Sequence, residues 1–215
     1  MTLTVVHLLR HGKVQNPDNI LYGRLPGFVL ADSGIEMAEA VAAHLAENNI
    51  TRVSASSLER AQQTAAPIAA SHGLTVGTDD RVIEAANQFE GSRVAVRDGA
   101  LVDPRNWMKL RDPFTPSWGE AYLDIAHRML GAIYAAVDAA AGSEAVIVSH
   151  QLPIVSARRF LAGQRLWHNP ATRECSVASI TSLRFEDGVY QGDSYAEPAA
   201  HIPAVNNRIS AMGAL

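Results

Sequence analysis

The chain has 215 residues, 47% of them hydrophobic and 19% charged, with a formal net charge of −4 and a mean hydropathy of zero. Such a chain is not disordered, and its length lets it bury about 70% of its unfolded surface. No apolar run approaches the ~20 residues that cross a bilayer, no basic stretch precedes the N-terminal apolar run as a secretory signal requires, and a pI near 6.0 lacks the basic footprint of a nucleic-acid binder.

A single cysteine, Cys175, precludes an internal disulfide and fits a reducing compartment. A cytoplasmic protein is therefore expected, without nucleic-acid or membrane partners; a homodimer is left open.

Residues 3–9 are apolar and β-branched, as in a strand buried on both faces. The strand stops at Arg10-His11-Gly12, and a loop rich in Asn, Pro, Asp and Gly runs to Leu30. From Gly34, the residues Ile35, Ala38, Val41, Ala42 and Leu45 recur at helical spacing, ending at Asn48-Asn49. A second strand follows at 52–55. Ser56 with Glu59 reads as a capping box opening a helix to about Ser71. Gly73 suits the helix end, and 74–76 reads as a third strand.

Residues from about 85 to 119, with several Gly and Pro among scattered aromatics, read as a lid or insertion with a short helix near 104–111. An Ala-rich helix is expected over about 120–141, a buried strand over 145–149, and a helix near Pro153, since proline suits a first turn. Stretches 176–184 and 189–193 read as a hairpin around Glu186-Asp187-Gly188. The tail from about 195 is polar and Ala/Pro-rich and is expected to be loosely ordered. Strands alternating with helices predict an α/β fold in one domain over 1–215: a three-layer αβα sandwich with a mostly parallel central sheet and helices on both faces.

In open α/β sheets, sites form beyond the carboxyl ends of the strands. Three predicted strands end in polar residues there: Arg10-His11, Ser56-Ser57 with Arg60 beyond, and Ser149-His150. Taken alone, Arg10 is an ordinary strand end and His11 an ordinary structural histidine. Arg60 is more telling, because a cation in the first turn of a helix opposes the dipole unless an anion lies close; an ion pair with Glu59 is the plainer account. His150 precedes a helix start, where free N–H groups favour an anion. Converging on one edge, two arginines, two histidines and two helix N-termini would make a phosphate-sized anion hole; the alternative is a coincidence of three strand ends.

No Gly-x-Ser-x-Gly elbow, Walker A loop or Gly-x-Gly-x-x-Gly occurs. His7 and His11 share a strand face, but no Asp, Glu or Cys stands at ligand spacing, so no metal and no cofactor are expected. His44, His72, His127, His168 and His201 read as surface or helix residues, and Cys175 as a small apolar one.

In these blocks the sequence resembles the histidine phosphatase superfamily, also called the phosphoglycerate-mutase-like family, in its phosphatase-type branch. Leu8-Leu9-Arg10-His11-Gly12 is similar to the family's Arg-His-Gly signature, and Ser56-Ser57-Leu58-Glu59-Arg60-Ala61-Gln62-Gln63-Thr64 to its Ser-x-Leu-x-Arg-Ala-x-x-Thr block. Val82-Ile83-Glu84 with Glu90-Gly91 resembles the acid-bearing block, and Val146-Ile147-Val148-Ser149-His150 the second-histidine block. A weaker fifth match is Gly23-Arg24-Leu25-Pro26-Gly27 with Leu30 and Gly34. Asn16 stands one place nearer the histidine than the family's Asn, and Gln151 replaces the Gly common after the second histidine.

The resemblance implies that His11 is the nucleophile that becomes phosphohistidine and that Glu84 is the proton donor. It implies that Arg10, Arg60 and His150 hold the phosphoryl oxygens, with Asn16 and Arg24 as further phosphate contacts. Such chemistry needs no metal, since two guanidiniums supply the charge that a transferring phosphoryl group calls for. The stretch between Glu84 and His150 is shorter than the segment with which the family's mutases exclude water. A phosphatase acting on a small phosphorylated metabolite is therefore expected before a mutase, or a non-catalytic phospho-ligand binder on the same fold. Residues 93–111 carry Arg93, Arg97, Arg105, Lys109 and Arg111 against Asp98 and Asp103; they read either as a lid that attracts an acidic substrate or as a solvated face.

Overall fold

A computed structural model of the chain describes residues 1–93 and 118–203. Ten regular elements follow in order: β1 (Leu3–Arg10), α1 (Asp32–Leu45), β2 (Ile50–Ala55), α2 (Glu59–Ser71), β3 (Val76–Thr78), α3 (Tyr122–Ala139), β4 (Glu144–Ser149), α4 (Gln151–Leu161), β5 (Ile180–Glu186) and β6 (Val189–Ala196). The six strands form one sheet in the order β3-β2-β4-β1-β5-β6. The pairings β3/β2, β2/β4 and β4/β1 are parallel, whereas β5 and β6 add antiparallel at one edge.

The sheet separates two cores, as period-two side-chain alternation requires. In β4, Ala145 and Ile147 face α3 and α4, where they meet Met129, Ile133 and Ile154. Val146 and Val148 face the other way, onto Met37 and Val41 of α1 and Ile68 of α2. This is the three-layer αβα arrangement predicted from the sequence. Because the strand is covered on both faces, its sequence is continuously apolar rather than alternating.

Several local expectations are corrected. No side chain caps α2, whose preceding residue is Leu58; the Ser56 hydroxyl is engaged elsewhere, and the capping box does not form. Helix α1 begins two residues before Gly34, with Asp32 favourably placed in its first turn. After α2, Gly73 takes the left-handed conformation (φ 65°), and the Leu74 N–H closes back on the Ala69 carbonyl. That closure delays β3, which starts at Val76 opposite Val53. The hairpin turn is the two residues Asp187 and Gly188, both at positive φ, which matches the strand twist.

The tail expected to loosen at 195 is tied down to residue 203. Tyr195 and Ala196 close β6, the Tyr195 hydroxyl donates to Glu197, and Ala199 is buried. His168, expected on the surface or in a helix, is buried in a loop. Most of the lid stretch and its short helix near 104–111 lie outside the described residues, as do 204–215. No helix among the described residues is long and apolar enough to cross a membrane.

Candidate active site

Parallel pairing brings three strand ends side by side, with Arg10 of β1 opposite Ser149 of β4 and Ala55 of β2 opposite Val148. The next residues, His11, His150 and Ser56, therefore lie along one edge of the sheet. The His11 N–H donates to the Ser149 carbonyl, and the two imidazoles sit with centroids 5.1 Å apart. Both are buried, as are Arg10 and Arg60.

Nδ1 of His11 lies 2.8 Å from the Gly12 carbonyl. A carbonyl only accepts, so Nδ1 carries the hydrogen and Nε2 presents its lone pair. Burial pushes the His11 pKa well below the ordinary value, and the Arg60 and Arg10 charges push it further, against the Gly12 hydrogen bond. The ring is thus kept neutral. Gly12 has its own role: a Cβ there would meet the Gly34 carbonyl oxygen at 2.6 Å. Its N–H donates to the Thr64 hydroxyl, which in turn donates to the Arg60 carbonyl, so the loop after β1 is pinned to α2.

Arg60 is fully buried. Its Nη2 donates to the Gly23 carbonyl at 2.6 Å and faces Nδ1 of His150 at 3.4 Å. Nε and Nη1 have no hydrogen-bond partner among the described residues. The alternative partner, Glu59, instead accepts from the Gly27 N–H. A buried guanidinium with donors left over is costly unless an anion completes it. On the other side Arg10 donates from Nη1 to the Cys175 carbonyl at 2.6 Å, which Gln151 also reaches. His150 places Nε2 2.8 Å from the Ser56 hydroxyl, and burial first, then Arg60, His11 and Arg10, hold its pKa well below the ordinary value.

Glu84 follows a 3-10 turn at Asp80–Val82 that is fastened to β4 by the Ser149 hydroxyl on the Val82 carbonyl. Its carboxylate accepts from the Ala85 N–H at 2.8 Å. Burial raises its pKa, against that hydrogen bond and the charges of Arg60, Arg10 and Arg173. Glu84 and His11 both feel the charges of Arg60 and Arg10, and burial favours the neutral form of each.

Two expected phosphate contacts are occupied otherwise. Asn16 braces its own loop, its amide donating to the Ile20 carbonyl and its oxygen accepting from the Ile20 N–H. Arg24 donates from Nε to the backbone carbonyl of Glu84 at 2.7 Å and from Nη2 to Glu120 at 2.9 Å; Glu120 also pairs with Arg128.

Three residues near the centre were not anticipated. The Tyr22 ring covers the Arg60 guanidinium, and burial pushes its phenol up. Arg173 donates to His168 and contributes its charge at Glu84. His168 donates from Nδ1 to the Leu166 carbonyl, so its Nε2 is the acceptor. They sit in loops without periodicity, and sequence offers no signal for them. Among the described residues no group of three or more His, Cys, Asp or Glu gathers as for a metal ion.

The family model described as the histidine phosphatase superfamily (branch 1) matches residues 6–197. The chain is similar, at 55% identity over 92% of its length and 98% of the relative, to "Uncharacterized protein Rv0525" of Mycobacterium tuberculosis. It is 30% identical to "Probable phosphoglycerate mutase GpmB" of Yersinia pestis, over 69% of this chain and 70% of that one. Among solved structures, a mycobacterial glucosyl-3-phosphoglycerate phosphatase, Rv2419c, in complex with VO3 superposes with a TM-score of 0.71 at 26% identity, covering 89% of this chain and 96% of that one.

Proposed function

The chain belongs to the histidine phosphatase superfamily, and from that premise we propose that it is a cytoplasmic, metal-independent phosphomonoesterase acting on a small phosphorylated metabolite through a phosphohistidine. The observation that carries this reading is the neutral His11, with its Nε2 lone pair turned away from Gly12, beside a buried Arg60 with two donor nitrogens left unfilled among the described residues.

In this reading Nε2 of His11 attacks phosphorus and forms the N–P bond as the ester P–O bond breaks. Glu84 gives its proton to the departing alkoxide, then takes one from the water that cleaves the N–P bond, and phosphate leaves with His11 neutral again. Arg10, Arg60 and His150 hold the equatorial oxygens, where charge builds in transfer.

Similarity to a protein named as a probable phosphoglycerate mutase favours a second reading. In that case the phosphoryl group returns to a second hydroxyl instead of passing to water.

The test is hydrolysis of p-nitrophenyl phosphate, 2- and 3-phosphoglycerate, glucosyl-3-phosphoglycerate and other phosphorylated metabolites with EDTA present, for the wild type and His11→Ala. Turnover should survive the chelator and fall roughly 10³-fold or more in the variant. Phosphoglycerate isomers that interconvert without release of phosphate would favour the mutase, and binding without any turnover would leave a phospho-ligand binder.

A further inference from the structure

Three consecutive residues in the loop between β1 and α1 each touch a different part of the site. The Tyr22 ring lies with its centroid 4.8 Å from the Arg60 guanidinium carbon. It also meets His11 edge-on, with centroids 6.5 Å apart and planes at 65°. The Gly23 carbonyl accepts from Arg60 Nη2. Arg24 holds the backbone carbonyl of Glu84. Anion clamp, nucleophile and acid-bearing segment are thus all referred to one tripeptide.

The tripeptide is itself fixed. Phe28 stacks on Tyr22, with centroids 5.1 Å apart and planes at 27°. Gly23 takes a positive φ of 39°, and a Cβ there would run into the Glu90 side chain. Glu90 also accepts from the Arg24 N–H.

We propose that Tyr22 is a positioning residue for phosphoryl binding: its ring face, backed by Phe28, holds the Arg60 guanidinium in the plane that aims Nε and Nη1 at the phosphate. A guanidinium has a rigid planar fork; its contacts with Gly23 and His150 both fall on Nη2 and leave Nε and Nη1 unheld by the described residues, so the ring face fixes the plane of the fork. The attraction of a cation to a ring face strengthens away from water, and Arg60 is fully buried. The ring also shields the flank of His11. The role belongs to the aromatic face and not to the phenol hydroxyl. It rests on the phosphate-binding reading of Arg60 given above.

The test is calorimetric titration with inorganic phosphate, which needs no turnover. Tyr22→Phe, which keeps the ring, should bind within about twofold of the wild type. Tyr22→Met, which keeps the bulk without a π face, should bind about tenfold more weakly, and Tyr22→Leu stands in if the Met variant does not fold by thermal unfolding. Orthovanadate should reproduce the same order.

Equal binding by all three proteins would overturn the proposal, and an equal loss in the Phe and Met variants would assign the effect to the hydroxyl and overturn it too. A wild type that binds phosphate yet hydrolyses nothing defeats the phosphatase reading but leaves this ranking decisive. A wild type that binds no phosphate defeats both.

Discussion

At the scale of single residues, the chemistry depends on which nitrogen and which oxygen are free. The Gly12 carbonyl fixes the His11 tautomer, and the Ala85 N–H ties down one oxygen of Glu84. If Glu84 is the proton donor, Glu84→Gln should slow hydrolysis of an alkyl phosphate by about 10²–10⁴-fold. With p-nitrophenyl phosphate, whose leaving group needs little protonation, the loss should be much smaller. The ratio of the two rates checks this, and equal losses on both substrates would remove Glu84 from the acid role. What the sequence displayed at this scale were residues attached to regular elements. Arg10, His11 and His150 terminate buried strands, so their position followed from the strands themselves. The destinations of Ser56 and Arg24 did not. Ser56 has the local spacing of a helix cap, but its hydroxyl meets a histidine 94 residues away. Arg24 meets a carbonyl 60 residues away. Such choices depend on tertiary neighbours that a local pattern does not contain.

At the scale of elements, the loop after β1 and the start of α1 approach so closely that side chains are excluded. A Cβ on Gly34 would sit 2.0 Å from the Lys13 carbonyl oxygen. Gly34→Ala should therefore cost about 1–3 kcal/mol through forced backbone movement. For a chain of this length that lowers the thermal midpoint by roughly 2–4 °C per kcal/mol. Thermal unfolding measures it, and an unchanged midpoint would show that the contact relaxes freely. Element positions were legible where apolar periodicity was strong, as in α3 and β4. They were misjudged by two residues at the starts of α1, which no side-chain cap marks, and of β3, which waits on the turn that closes α2. The Gly73 turn, for instance, uses Leu74 to close α2 before the chain can join the sheet.

At the scale of the whole molecule, proton linkage has a definite sign. His7, His11, His150 and His168 all have pKa values below the ordinary 6.5 in the folded state, in each case chiefly through burial. For His7 the nearby Glu144 works the other way. Each imidazole takes up a proton more readily unfolded, so its contribution to stability is present above pH ~6.5 and is lost as the pH falls below it. Burial pushes Glu144 up, but hydrogen bonds from His7 and Asn48 outweigh it and leave its pKa lowered; it adds the same sign at lower pH. Glu84, raised, has the opposite sign, its contribution fading as the pH rises through its folded value. Thermal midpoints should fall between pH 7.5 and 5.5, less steeply in His11→Ala, and a flat profile would contradict the buried neutral histidines. The three layers and the parallel sheet were legible at this scale, because they need only the order and polarity of segments.

The strand order carries a temporal consequence. β4 lies between β1 and β2, yet it begins at Glu144, long after β1 ends at Arg10 and β2 at Ala55. While the polypeptide is being synthesised, the first two strands have no shared neighbour, and each exposes an unpaired edge until the middle strand arrives. Closure of the sheet is then a long-range event of the kind that slows folding. It also joins the His11 and Arg60 halves of the pocket in the same step. If the pocket binds phosphate as proposed, phosphate in solution should favour the finished chain over shorter forms of it.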